Sequence, residues 1–108
     1  MATGLGEKLR TLRKDRQLTL DRLAEMAKLS KSYLWELENR ASQRPSAEKL
    51  AALADALGVS ASFFIEDDVR TPEERHLDEH FFRNYQQLEA PAKEQLRKIL
   101  ETFKKPSA

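Results

Sequence analysis

Three residues, Lys28-Leu29-Ser30, separate two stretches whose apolar residues recur with a helical period. Before the gap, a helix from Leu20 to about Lys28 buries Leu23, Ala24 and Ala27, with Thr19 as its N-cap. After it, "KSYLWELEN" points Leu34 and Leu37 inward, and Ser30 can accept a bond from a first-turn N–H. So short a connection fixes two short helices against each other, and the rest of the chain must be built around that pair.

Such a pair is a helix-turn-helix arrangement, and its surroundings read as helices too. Three glycines, four prolines and no alternating Val/Ile/Thr run predict an all-α chain. A first helix, about Gly6 to Arg16, sets Leu5, Leu9 and Leu12 in a stripe, with Lys8, Arg10, Lys14 and Arg16 on other faces. "ASQRP" is a loop. "PSAEKLAALADALG" is an amphipathic fourth helix capped by Ser46, with Leu50, Leu53, Ala54 and Leu57 inward and Gly58 at a left-handed C-terminal position. "SASFFIED" gives a short fifth helix capped by Ser60, with Phe63, Phe64 or Ile65 closing the core. Then "TPEE" signals another start: Thr71 as cap, Pro72 at the first helical position, Glu74 completing a capping box.

The two helices after that start carry wide apolar stripes, Leu77, Phe81, Phe82, Tyr85 and Leu88, then Leu96, Ile99, Leu100 and Phe103. Packing on each other cannot bury both, so they must cover the first unit or a second chain; a second chain is the expectation. Their polar faces mix both charge signs, unlike a basic membrane-surface helix.

Charge is uneven along the chain. Residues 1 to 49 hold eleven Lys/Arg against seven Asp/Glu, residues 50 to 70 one against four, and residues 71 to 108 seven against seven. A basic first half is a modest footprint for an anionic partner. Without cysteine there is no disulfide framework or thiolate site, and no apolar run suits a membrane span or signal segment, so a cytoplasmic location is expected. "HLDEH", residues 76 to 80, has the spacing of inverted zinc-peptidase sites. A catalytic centre needs a third ligand and a cleft, so His76 and His80 are assigned to the polar flank of the association helix. With no Gly-rich phosphate loop or Ser/His/Asp set either, neither enzymatic activity nor a metal or cofactor is expected.

The segments "LRTLRKDRQLTLDRLAEMAKLSKSYLWELENR" and "RPSAEKLAALADALGVS" together resemble the Cro/C1-type helix-turn-helix family of transcription regulators, also called the Xre family. The resemblance spans roughly residues 5 to 66. It implies a five-helix, lambda-repressor-like domain over residues 5–68, followed by a C-terminal helical dimerisation segment over residues 71–105.

In such proteins the third helix enters the DNA major groove. The resemblance therefore gives Ser30, Lys31, Ser32, Trp35 and Glu36 as base contacts, and Thr19, Tyr33, Asn39, Arg40 and Arg44 as phosphate contacts. Arg13 and Glu38 match a structural ion pair between first and third helices. Trp35 lies about 100° from Leu34, off the core stripe, so it faces DNA or packs on the fourth helix or the loop at 41 to 44. Departures are Leu20, where glutamine is frequent, and Lys28 and Arg40, where glycine is common; Asn39 could take the left-handed conformation instead. The implied protein is a dimeric repressor of a palindromic double-stranded operator. The alternative is an antitoxin-like module whose C-terminal helices bind a protein partner.

Overall fold

The computed structural model describes residues 4–40 and 44–104, and its secondary structure is helical throughout: α1 (Leu5–Asp15), α2 (Leu20–Ala27), α3 (Lys31–Asn39), α4 (Ala47–Leu57), α5 (Ser62–Ile65), α6 (Glu74–Gln86) and α7 (Ala90–Phe103). Caps decide the starts. Thr19 Oγ1 accepts from the Arg22 N–H at 3.0 Å, Ser30 Oγ from Tyr33 at 3.1 Å and Ser46 Oγ from Lys49 at 3.2 Å. Each satisfies a first-turn donor that has no partner within its helix.

Helices α1 to α5 enclose one core. Leu9, Leu23, Leu34, Leu53 and Phe63 are fully buried or nearly so, one from each helix, and Val59 and Val69 close it from the connections. The α2–α3 turn closes through Lys28, which takes the left-handed conformation (φ 60°), while the Leu29 N–H reaches the Ala24 carbonyl at 2.8 Å. That is the C-terminal geometry glycine usually supplies. Gly58 supplies it after α4 (φ 79°). Asn39 does not: it stays helical, and Arg40 leaves α3 in extended conformation. The other left-handed non-glycine residue among those described is Gln17 (φ 59°), in the α1–α2 turn.

Gly6 matters for another reason. A Cβ there would lie 2.5 Å from the Glu38 carbonyl oxygen and 2.6 Å from that of Leu37, so only glycine lets α1 cross the last turn of α3 this closely.

Further sequence expectations need correction here. Lys8 is not on an outer face. It is buried, its ammonium donating to the Phe63 carbonyl at 2.8 Å and to that of Glu66, over the Phe63 ring. Burial pushes Lys8 below the ordinary lysine range, although Asp67, Glu66 and Asp68 pull the other way. Ser60 bonds Ser62 Oγ at 2.7 Å and Ala61 stands at the start of α5, where Phe63 and Phe64 enter the core while Ile65 remains 67% exposed. Finally, α6 begins after Glu73 instead of Thr71: the Glu73 N–H donates to His76 Nδ1 at 2.8 Å, so His76 takes the bracing role assigned to Glu74.

His76 also anchors α6. It is completely buried, its ring meets Phe63 edge-on, and its carbonyl accepts the Ser60 N–H at 3.0 Å. Further along, Glu79 accepts from Ser62 Oγ at 3.2 Å, while His80 and Asn84 reach the Asp55 carboxylate of α4. This polar stripe of α6 faces the α1–α5 body. His76 and His80 are therefore body contacts, not a flank of an outward association face. Helix α7 folds back on α6, with Lys93 and Arg97 over the Tyr85 ring. The hairpin stretches the molecule to 54 × 27 × 24 Å, with a radius of gyration of 16.4 Å. A compact chain of this length would have about 13 Å.

Candidate nucleic-acid interface

The outer surface of α3 is set by its inner one. Leu34 and Leu37 are fixed in the core, so Lys31, Ser32, Trp35 and Glu36 fall on the outer side, while Tyr33 is half-buried against the core. Lys31, Ser32 and Trp35 are exposed and Glu36 is half-buried; together with Leu20 they line an open depression of about 360 Å³. Lys31 lies 3.4 Å from Asp21 of α2, a largely exposed pair that solvent screens and a stronger anion can displace. Ser30 is occupied as the cap, although its hydroxyl proton remains available to donate.

Trp35 is 47% exposed, neither in the core nor fully in solvent. The Arg40 guanidinium lies 5.9 Å from its ring, and its carbonyl accepts from Asn39 Nδ2 at 2.8 Å. Asn39 Oδ1 in turn accepts from Arg10 of α1. Trp35, Asn39, Arg40 and Arg10 thus form one connected group at the end of α3. Arg10 was missing from the sequence-derived contacts; as one more exposed cation on α1 it gave no local signal, and only the α1–α3 crossing brings it here.

The base of the helix is held by an ion pair. Arg13 donates to Glu38 through Nε at 2.7 Å and through its terminal nitrogen at 3.0 Å, and a third bond reaches the Leu18 carbonyl at 2.9 Å. The Glu38 side chain is 2% exposed, and hydrogen bonding to it raises Arg13 above the usual guanidinium range. A buried carboxylate must be compensated, and the bidentate fork does so while fixing the axial position of α3.

Thr19 is exposed beside its cap bond, and Lys49 lies 4.6 Å over the Tyr33 ring. Arg44 is exposed; residues 41 to 43 of the intervening loop lie outside the described residues. Of the sequence-derived contacts, Ser30, Lys31, Ser32, Trp35, Glu36, Asn39 and Arg40 all belong to α3 or its flanks, with Thr19 at the start of α2.

The second set of singled-out residues forms a separate surface. Phe81, Phe82, Tyr85, Leu96, Ile99, Leu100 and Phe103 line an open apolar groove of about 450 Å³ along α6 and α7. Phe81 is 61% and Phe103 78% exposed; Leu77 and Leu88 are partly exposed beside them. No helix among the described residues is long and apolar enough to cross a membrane.

Residues 4–62 match the family described as "Helix-turn-helix domain". An immunity repressor protein of Bacillus phage phi105 is 39% identical over 71 residues, which is 66% of this chain and 49% of that protein. The chain thus spans about half the length of this curated relative. Among solved structures, the biofilm master regulator SinR in complex with DNA is similar over 57% of this chain and 98% of that one, with 31% identity and a TM-score of 0.55. A SinR/SinI protein complex is similar over 91% and 92% respectively, with 26% identity and a TM-score of 0.57.

Proposed function

The chain belongs to the helix-turn-helix domain family, as a Cro/C1-type transcription regulator, and from that premise we propose that it represses transcription as a homodimer on a palindromic double-stranded operator. One observation carries this reading: α3 turns Lys31, Ser32, Trp35 and Glu36 outward from a seat fixed by Leu34, Leu37 and the Arg13–Glu38 fork. A helix so braced can enter a major groove without rearranging.

In the groove, Lys31 donates to guanine O6/N7, Ser32 donates or accepts, Glu36 accepts from cytosine N4, and the Trp35 ring covers a sugar or thymine methyl. Ser30 donates at the helix start. Phosphates are held by Thr19, Tyr33, Asn39, Arg40 and Arg44, with Arg10 added from the structure. The likeness to a DNA-bound regulator supports this assignment.

The second copy covers the groove of α6 and α7, placing two α3 helices about 34 Å apart, one turn of DNA. What supports self-association is an apolar face directed away from the body, beyond reach of the chain's own core. A different protein on that face is the second reading, favoured by the likeness over most of the chain to a structure titled as a complex of two proteins.

Selection of bound sites from random duplexes tests the proposal. Two inverted half-sites about one turn apart are expected; unrelated or unpaired sites would overturn it. Sedimentation of the chain alone separates the two occupants of the groove, since a stable dimer supports self-association and a monomer favours the foreign partner.

A further inference from the structure

The C-terminal hairpin is fastened to the body by a polar face, and one residue of that face has every hydrogen-bonding group in use. His76 is 0% exposed. Nδ1 accepts the Glu73 N–H at 2.8 Å, Nε2 lies 3.2 Å from Glu66 Oε1, and the carbonyl takes the Ser60 N–H. The ring stands edge-on to Phe63, with centroids 5.4 Å apart. A backbone N–H aimed at Nδ1 requires that nitrogen to be bare. The ring proton is then on Nε2, where it donates to Glu66.

Charged groups converge here from every side. Glu66 enters from the end of α5, and its carbonyl takes the Lys8 ammonium from α1. Arg75 grips both Glu66 oxygens, at 2.6 and 2.8 Å, and bonds Glu73 at 2.9 Å. The ring is thus the inner element of a junction joining α1, α5 and α6.

We propose that His76 is a positioning residue: its neutral Nε2–H form fixes the angle between the α1–α5 body and the α6–α7 hairpin. Its effect on DNA rests on the dimer reading above; the angle itself belongs to one chain. The lever is long enough to matter. Helix α6 has 13 residues, about 20 Å, so tilting it by about 10° at its base moves the far end by about 3.5 Å. That is comparable to the rise of one base pair, about 3.4 Å. Two recognition helices joined through two such levers lose their register if either junction loosens.

The chain has no cysteine, so the angle can be read by pulsed electron–electron spin distances after Glu48→Cys on α4 and Lys98→Cys on α7. Both sites are exposed, and excess unlabelled chain suppresses distances between copies. The wild type should give one narrow distance. His76→Phe keeps the ring on Phe63 but loses both side-chain bonds, and should broaden the distribution or shift it by about 3 Å or more. His76→Asn, whose amide oxygen can still accept the Glu73 N–H, should recover part of the narrow component. Long-range proton–nitrogen spectra of the wild type should show Nδ1 unprotonated. A proton on Nδ1, or a His76→Phe distribution as narrow and as placed as the wild type, would overturn the proposal. Should sedimentation find only monomers, the dimer reading falls, while these distances within one chain still report on His76.

Discussion

Helices α3 and α6 are both amphipathic, and they are mounted opposite ways round. Helix α3 buries Leu34 and Leu37 and shows Lys31, Ser32 and Trp35 to the outside. Helix α6 turns His76, Glu79, His80 and Asn84 to the body and leaves Phe81 and Phe82 outside. The first arrangement is complete within one chain, because apolar burial at about 25 cal/mol per Å² supplies its seat. The second leaves that contribution unrealised until another surface arrives. Exposed contiguous apolar area of this kind marks an association site. One face of the molecule is therefore polar and charged where it is exposed, and the other is apolar.

Breaking the seat of α3 gives the largest expected effect. Leu34→Ala should lower stability by about 2–5 kcal/mol, the range for emptying a packed leucine site. Phe81→Ala, a larger truncation, should leave the body's urea midpoint unchanged in dilute solution and remove its dependence on protein concentration. Equal losses from both substitutions at low concentration would erase the contrast between the two mounts. Next comes Gly6→Ala. Its new methyl must push against two carbonyls of α3 at 2.5 and 2.6 Å, so a loss of about 1–3 kcal/mol is expected in thermal unfolding. An unaltered midpoint would mean that the α1–α3 crossing yields freely.

The outward side of α3 should behave in the reverse manner. Lys31→Ala and Trp35→Ala should each weaken operator binding by about 1–3 kcal/mol, the worth of a good base contact. Stability should change by no more than about 0.5 kcal/mol, as at other surface positions. A Trp35→Ala protein that binds normally but melts early would show that the indole serves packing.

The contrast also explains what could be read from the chain. Thr19, Ser30, Ser46 and Gly58 announce helix ends because capping is local chemistry, and the leucines of α1 to α4 announce an inner side by their period. The Arg13–Glu38 pair spans 25 residues and was reached through family resemblance, not periodicity. Lys8 and His76 were misread for a common reason. A polar residue in a helical pattern reads as solvent-facing, but the Phe63 and Glu66 carbonyls receive Lys8, and Glu73 and Glu66 receive His76. Those partners are set by how α5 and α6 return to α1, which no local window contains. The apolar stripe of α6 was legible and was expected to face away from the body, as Phe81 and Phe82 do; the hold of His76 and His80 on the body was not legible.

The smallest expected effect tests the polar mount of α6 by pH. The Glu66 carboxyl is held down at about 2, first by hydrogen bonding to Arg75 and then by His76. In the unfolded chain a glutamate titrates near 4.3, with an ordinary value of about that size. Because the folded value is the lower one, the folded state binds the proton less readily. The contribution is present above about pH 4.3 and is lost as pH falls from there toward about 2. Arg75 is partly exposed, so salt screens this contribution and keeps it modest. Amide exchange in α6 should therefore accelerate across that window more than exchange in α3, once the intrinsic pH dependence is divided out. Glu66→Gln should start from faster α6 exchange at neutral pH and show no additional acceleration in the window. If α3 and α6 loosened together in the wild type, the junction would not be a separate fastening, and the hairpin would have to be counted as part of the same cooperative unit as the core.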